Sequence, residues 1–371
     1  MNRVVRLRSD TAIPEKTEFA ETLAAIQKKY GKSVISPASK QFQPERIPTG
    51  IFLLDLALLG GIPHNRITLF SGNRHSGKSL LCDLCIAHSQ QQFPEYQCIK
   101  ADIEGASDPV WSAKLGVDVD RLYVFSPETG ESAADSVDAL IRTKEVSLVA
   151  VDSIAALTPV KELDSSAADV LIAMQARLTT GILRKATSAL IAERNRGHYV
   201  TVIFTNQFRM KIGGYGDNRT MPGGKAAEHF PSVQIELKNK ETMGKDEYDI
   251  DTVLENEHSF IIKKNRLNGG LRMGEFRLIR STNNEFGLPE GAINDAGTLL
   301  TYSKKFGFYT GGGTSWKLDV WGKIYEFRKA DDVIKVLYED KDLYWQLRNQ
   351  AIMKYAESLG MPKSFLQRFA S

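Results

Sequence analysis

The chain has 371 residues, 42% hydrophobic and 25% charged, which at about 150 residues per domain predicts two or three folding units. This composition excludes a largely disordered chain, a collagen-like fibre and a small disulfide scaffold. Lys and Arg number 48 against 45 Asp and Glu, leaving +3, so any basic surface must be local.

The three cysteines, Cys82, Cys85 and Cys98, cannot all pair, which points to a reducing compartment. Cys82 and Cys85 have redox-motif spacing, but no second pair completes a zinc site, so they read as buried helix thiols. The longest apolar run, 146–160, is shorter than the roughly 20 residues of a membrane span, and Asp152 interrupts it. Arg3, Arg6 and Arg8 precede no apolar stretch, and Asp10, Glu15 and Glu18 follow at once. Neither a signal nor a transit peptide is expected, and the expected location is cytoplasmic.

In chain order, residues 15–30 place Phe19, Leu23, Ile26 and Tyr30 at helical spacing, with Gly31 as a stop. A Pro-punctuated linker runs from 36 to 48, with a short strand expected near Val34 and Ile35. This piece, 1–49, is too small for its own core and needs something to pack on. From Gly50 the pattern changes. Segments 67–70, 97–103, 121–125, 147–151 and 199–205 read as strands, and 80–92, 134–143 and 174–196 as helices. This alternation predicts an α/β unit over 50–288, built on a mostly parallel sheet covered on both faces. Segments 233–237, 259–263 and 275–279 lack intervening helices and predict an antiparallel edge. Residues 289–371 read as a small α+β unit, with a turn at Gly311-Gly312-Gly313 and helices from Ala330 and Asp342.

Gly72-Asn73-Arg74-His75-Ser76-Gly77-Lys78-Ser79 fits G-x-x-x-x-G-K-[ST], after a predicted strand and before the helix opening at Leu80. Glycines let the backbone wrap phosphates, the helix N-terminus adds positive dipole, Lys78 reaches the β- and γ-phosphates, and Ser79 takes a magnesium site. Asp152, where the apolar strand 148–151 stops, is the expected metal partner; capping the next helix at Ser153 is the alternative. Asp102 and Glu104 end another strand. Alternation places both carboxylates on one face near the nucleotide edge, as a catalytic base or as solvated loop acids.

These motifs, with 151–159 (VDSIAALTP), 205–213 (TNQFRMKIG) and Gly223-Gly224, resemble the RecA recombinase family from about residue 20 to 285. The resemblance implies a RecA-like P-loop ATPase core using ATP and Mg2+. It implies that Glu104 activates water, that Asp108 and Trp111 hold the adenine, and that Gln207 senses the γ-phosphate. Lys264 and Arg266 would reach the nucleotide of the neighbouring subunit; exposed strand-end charges are the plainer reading. Two DNA loops are implied. The first spans 162–174 and leads into Arg177, with Arg184 and Lys185 further along the helix. The second spans 208–225, carrying Arg209, Met210, Lys211, Ile212, Gly213, Arg219, Gly223, Gly224 and Lys225. Its basic, Gly-rich composition suits a phosphate backbone, although by itself it is also that of an ordinary surface loop. The N-terminal helix and strand match the family's polymerisation element.

The implied function is a DNA-dependent ATPase that forms a helical filament on single-stranded DNA and exchanges it into a homologous duplex. Single-strand-binding and mediator proteins are further implied partners, and no membrane is involved. A ring helicase or an ATP-regulated single-strand-binding mediator are the alternatives. Three departures from the family pattern stand out. Glu228 and His229 replace a lysine and a phenylalanine, His75 in the phosphate loop reads as solvent-facing, and 361–371 carries Lys363 and Arg368 but no acid. The last predicts duplex binding without high magnesium.

Overall fold

A computed structural model describes residues 17–31, 34–35, 44–160, 168–210, 219–246, 248–267 and 270–369. The first helix, α1 (Glu18–Tyr30), starts where Thr17 Oγ1 accepts from the Ala20 N–H, and Gly31 ends it. None of its residues is buried; Phe19 is 57% and Tyr30 60% exposed. Val34 and Ile35 form a bend, not the expected strand. Among the described residues no strand offers them a ladder, so Ile35 O instead accepts from Gln27 Nε2 (3.1 Å).

A two-stranded ribbon, β1 (Arg46–Ile47) with β2 (Ile62–Pro63), brackets the short buried helix α2 (Phe52–Ala57). Then the predicted alternation runs: β3 (Ile67–Gly72), α3 (Lys78–Gln92), β4 (Gln97–Asp102), α4 (Pro109–Lys114), β5 (Leu122–Phe125), α5 (Gly130–Ile141) and β6 (Val146–Asp152). It continues through α6 (Ala168–Asn195), β7 (Thr201–Gln207), the hairpin β8 (Arg209–Met210) with β9 (Arg219–Thr220), and α7 (Gly224–His229). Strands β10 (Val233–Lys245), β11 (Asp251–Asn265) and β12 (Met273–Ile279) complete the sheet.

The eight strands lie in the order β12-β11-β10-β3-β7-β6-β4-β5. The three late strands form the expected antiparallel edge, β11 pairing antiparallel with both β10 and β12, while β10 joins that edge to β3 in parallel, with Val233 opposite Thr68. The reason for the parallel join is α7, a helix too short to show a periodic pattern, which lies on the crossover from β7 to β10.

The strands are apolar along their length because both faces are covered. Leu148 and Ala150 of β6 pack in the core that holds Leu81 and Cys85 of α3. Val149 and Val151, one residue out of phase, pack in the core of Ile182 and Leu183 of α6. All three cysteines are buried and free, and burial raises the thiols of Cys82 and Cys85 well above their ordinary range. They are core residues.

The C-terminal part contains α8 (Ala296–Lys305), the meander β13 (Tyr309–Gly312), β14 (Ser315–Val320) and β15 (Lys323–Phe327), then α9 (Ala330–Glu339), α10 (Lys341–Ser358) and α11 (Lys363–Leu366). Its core, with Leu299, Leu318, Val333 and Leu347, also takes Phe52, Leu56 and Leu59 from α2 and the turn after it. A buried polar joint ties the two parts. Asp55 accepts from Thr49 N–H (2.8 Å), Thr49 Oγ1 (2.7 Å) and Arg348 Nη2 (2.6 Å), and Asp295 accepts from Phe52 N–H (2.7 Å) and Tyr344 Oη (2.8 Å). Among the described residues no helix is long and apolar enough to cross a membrane.

Candidate nucleotide and DNA site

Strand β3 runs into the phosphate-loop sequence, and α3 opens at Lys78 with Gly77 as its N-cap. Gly77 has φ 96°, and a Cβ there would stand 2.7 Å from the ring of His258. Both backbone and space require glycine. Lys78 Nζ donates to the carbonyls of Asn73 (2.7 Å) and Gly72 (3.3 Å), folded back along its own loop. Burial lowers its pKa, while Asp152 and Glu104 pull it back up.

The loop forms the floor of an open cleft of about 430 Å3, lined by Arg74 to Leu80, Glu104, Trp111, Asp152 and Gln207. Asn73 is exposed just outside that lining. His75, at φ 59°, is exposed at the mouth, which fits its reading as solvent-facing. Asp152 sits where β6 ends and accepts from Thr205 Oγ1 (2.5 Å). It does not cap the turn that follows, whose N-cap residue Ser153 makes no side-chain cap bond either. With the exposed Ser79 it offers oxygen donors, the hard ligands that suit Mg2+ completed by phosphate and water. Among the described residues no cluster of three or more His, Cys, Asp or Glu could hold a metal unaided.

Asp102 and Glu104 do not work as a pair. Strand β4 stops at Asp102, so alternation does not carry on to Glu104. Asp102 folds into its own loop, accepting from the N–H groups of Ala106 (3.2 Å) and Ser107 (2.9 Å). Glu104 Oε1 instead receives Ser153 Oγ (2.7 Å) and Gln207 Nε2 (2.6 Å). Asp108 is the N-cap of α4, accepting from Val110 and Trp111 N–H, and is not among the cleft-lining residues. Trp111 is, with the Arg280 guanidinium 4.3 Å from its ring centre.

The RecA N-terminal domain family matches residues 17–283. The protein RecA of Chloroflexus aurantiacus is 36% identical over 306 residues, covering 80% of this chain and 83% of that protein. Protein RecA of Roseiflexus castenholzii is 36% identical over the same shares, and that of Symbiobacterium thermophilum 35% over 283 residues, 75% and 77% of the two chains. The chain belongs to the RecA family. It is thereby a DNA-dependent ATPase of DNA recombination and repair, in a family that uses ATP and Mg2+.

In this RecA-family chain, several cleft residues come from strands that carry no motif. Asn239 of β10, Asn256 and His258 of β11, and Arg280 just after β12 all line the cleft. His258 stacks on Phe276 (4.9 Å), and its Nδ1 is 3.2 Å from the Ser76 carbonyl, so the Nδ1–H tautomer donates upward into the loop. Burial brings its pKa down to about 4. Only the stretch of β-rich sequence at 259–263 hinted at this strand; nothing marked His258.

Lys264 and Arg266 lie at the other end of the sheet from the phosphate loop. Lys264 is opposite Gln234, beside the start of β3, and its Nζ donates to the carbonyls of Glu228 (2.7 Å) and His229 (2.9 Å). Arg266 donates to His229 O (3.3 Å). Neither enters the cleft of its own chain. Glu228 and His229, read as altered relay residues, serve these cations through their backbone.

For the expected DNA loops, residues 161–167 and 211–218 lie outside the described residues, and with them Lys211, Ile212 and Gly213. Met210 belongs to β8, opposite Arg219. Arg177, Arg184 and Lys185 are exposed on α6, Lys185 paired with Asp135 (2.5 Å). Arg209 donates to Ala155 O (3.1 Å) and Gln175 Oε1 (3.4 Å), joining the two loop bases. Arg219 is not the mobile cation its composition suggests: it donates to the buried Glu236 (2.8 Å) and lies 4.8 Å over Phe208. A buried carboxylate that also takes Lys263 (3.2 Å) outweighs loop freedom. Gly223, at φ 90°, caps α7, while Gly224 and Lys225 are exposed on its first turn.

Proposed function

We propose that this chain binds Mg–ATP in the cleft, polymerises on single-stranded DNA into a helical filament, and exchanges that strand into a homologous duplex. The observation that carries the reading is the Gln207–Glu104 hydrogen bond (2.6 Å). It joins the strand that leads into β8 and β9 directly to the acid beside the phosphate loop. A change at either end must therefore be felt at the other.

In this reading Lys78 leaves the carbonyls of Asn73 and Gly72 for the β- and γ-phosphates, and Trp111 stacks on the base. Ser79 and Asp152 hold the cation, which when bound screens the phosphate charge. Both bonds to Glu104 fall on Oε1. The other oxygen is left to accept a proton from the attacking water. Lys264 and Arg266, remote from their own cleft, act on the neighbour's nucleotide once subunits assemble, so that hydrolysis follows assembly. The exposed apolar stripe of α1 supports its assignment to residues 1–49 as the element that packs on the next subunit.

Electron microscopy of the chain with single-stranded DNA and a non-hydrolysable ATP analogue tests this. Regular helical filaments are the expected outcome, followed by strand exchange with ATP. Closed rings would move the function to unwinding. DNA binding with neither assembly nor turnover would leave a mediator.

A further inference from the structure

A second cleft, sharing no residue with the first, lies where the β1–β2 ribbon meets the C-terminal helices. Its volume is about 410 Å3, and Arg46, Arg348, Arg368 and Phe365 line it. Arg46 and Arg368 both lie over the Phe365 ring, at 5.6 and 5.5 Å. Burial and the nearby Arg368 charge lower the Arg46 pKa to about 9. Arg348 is 3% exposed and is matched by Asp55. Arg46 has no such match: it donates Nη1 to Leu58 O (2.6 Å), and among the described residues it pairs with no carboxylate. The Nε–H groups of both Arg46 and Arg348 are buried and have no acceptor among the described residues. Among the described residues the lining holds one acid, Glu45, which is exposed.

A buried guanidinium that no carboxylate among the described residues matches, as at Arg46, is unfavourable unless an anion offsets it. Planar guanidinium forks match the oxygens of carboxylate and phosphoryl groups, and a phosphoryl group offers three oxygens to a cluster of arginines. We propose that this cleft is a second anion site, which binds a phosphoryl group borne by free phosphate or by a small phosphorylated molecule. Its volume lies in the range of small-molecule sites and exceeds what a lone phosphate needs. Because the walls come from residues 45–48, from Leu59 and Gly60, from Gln92 at the end of α3, and from α10, α11 and the turn beyond, a bound anion clamps the C-terminal part to the ribbon and the turn after α2. Ligand occupancy then stabilises that joint by mass action.

The test is calorimetric titration of inorganic phosphate into the full chain at constant ionic strength, in a Lys78→Ala background that silences the phosphate loop. One phosphate site is expected to remain, with a raised melting temperature on saturation. Arg46→Gln should weaken that site about tenfold or more. Asn349→Asp places a carboxylate of nearly the same shape in the lining, where Asn349 Oδ1 already accepts from Arg348 Nη1 (2.7 Å). It should abolish phosphate binding and raise the melting temperature in phosphate-free buffer, which a merely structural asparagine would not do. Ribose 5-phosphate and adenosine 5′-monophosphate distinguish the sources: tighter binding than phosphate means a phosphorylated metabolite, equal or weaker binding means free phosphate. Loss of all phosphate binding with Lys78→Ala, or binding untouched by both cleft variants, overturns the proposal. Neither result bears on the ATP site.

Discussion

Gln207 Nε2 donates to Glu104 Oε1 across 2.6 Å, bridging the carboxyl ends of β7 and β4 over the intervening β6. Removing the acid and removing the amide therefore have different consequences. Glu104→Gln keeps the shape but accepts no proton, and should lower ATP turnover by about 10²-fold or more while nucleotide still binds. Gln207→Ala leaves the acid in place. Its basal turnover should change little, while stimulation by single-stranded DNA is lost. Steady-state turnover with and without DNA separates the two, and equal loss of both rates in Gln207→Ala would sink the coupling role.

Arg280 lies 4.3 Å over Trp111 at the edge of the cleft. A planar guanidinium on an indole at such a half-open place contributes about 0.5–1 kcal/mol. Arg280→Ala should thus raise the KM for ATP by roughly two- to fivefold with kcat little changed. Trp111→Ala removes the stacking surface itself, worth about 1–3 kcal/mol for a base, and should raise KM further. An unchanged KM in Trp111→Ala would remove Trp111 from the base site.

The parts legible in the sequence were those written locally. The phosphate loop is an eight-residue motif that joins an apolar strand to a helix, and β3, β6 and β7 are apolar because both of their faces are covered. What was not legible depends on register between distant segments. His258 reaches Ser76 across 182 positions, and Arg280 meets Trp111 only because β12 pairs with β11 at the sheet edge. No local pattern encodes such contacts. Asp102 and Glu104 show a different failure, in which alternation was extended one step past the end of the strand. Val34 and Ile35 have strand-forming side chains, but a strand needs a partner that the described residues of one chain do not supply.

Gly223 joins the second loop to α7, and its φ of 90° lies where a side chain is strained. A Cβ would also stand 2.5 Å from Thr179 Cγ2 on α6. Gly223→Ala should cost roughly 1–3 kcal/mol, read as a lower denaturant midpoint. Because Asn206 Nδ2 donates to Pro222 O (2.9 Å) beside it, DNA-stimulated turnover should fall more than basal turnover. Gly224→Ala meets no atom within 4 Å and carries only the backbone strain of φ 60°, so it should be the milder variant. Equal stability losses would refute the clash with α6.

The pH dependence of stability follows from His258, whose pKa falls from 6.5 to about 4 in the folded chain because the ring is buried. A lowered histidine pKa means the unfolded state binds the proton first. Its contribution to stability is therefore full above about pH 6.5 and is lost as pH falls toward 4, at about 1.4 kcal/mol per pH unit. His64, lowered to about 3 by burial, works in the same direction. Asp295 works against both: burial raises it to about 6, so below that pH the folded state gains a proton that the unfolded state takes only near 3.8. His88, also lowered by burial, adds to the histidine side, so the net acid slope between pH 4 and 6 should exceed that of one histidine and be steeper between 6 and 6.5. His258→Gln retains a side-chain N–H donor for Ser76 O but does not titrate. Urea unfolding from pH 4 to 8 should show a slope between 4 and 6 shallower than that of the parent chain by about 1.4 kcal/mol per pH unit, and a slope equal to that of the parent chain would rule out His258 as the titrating group.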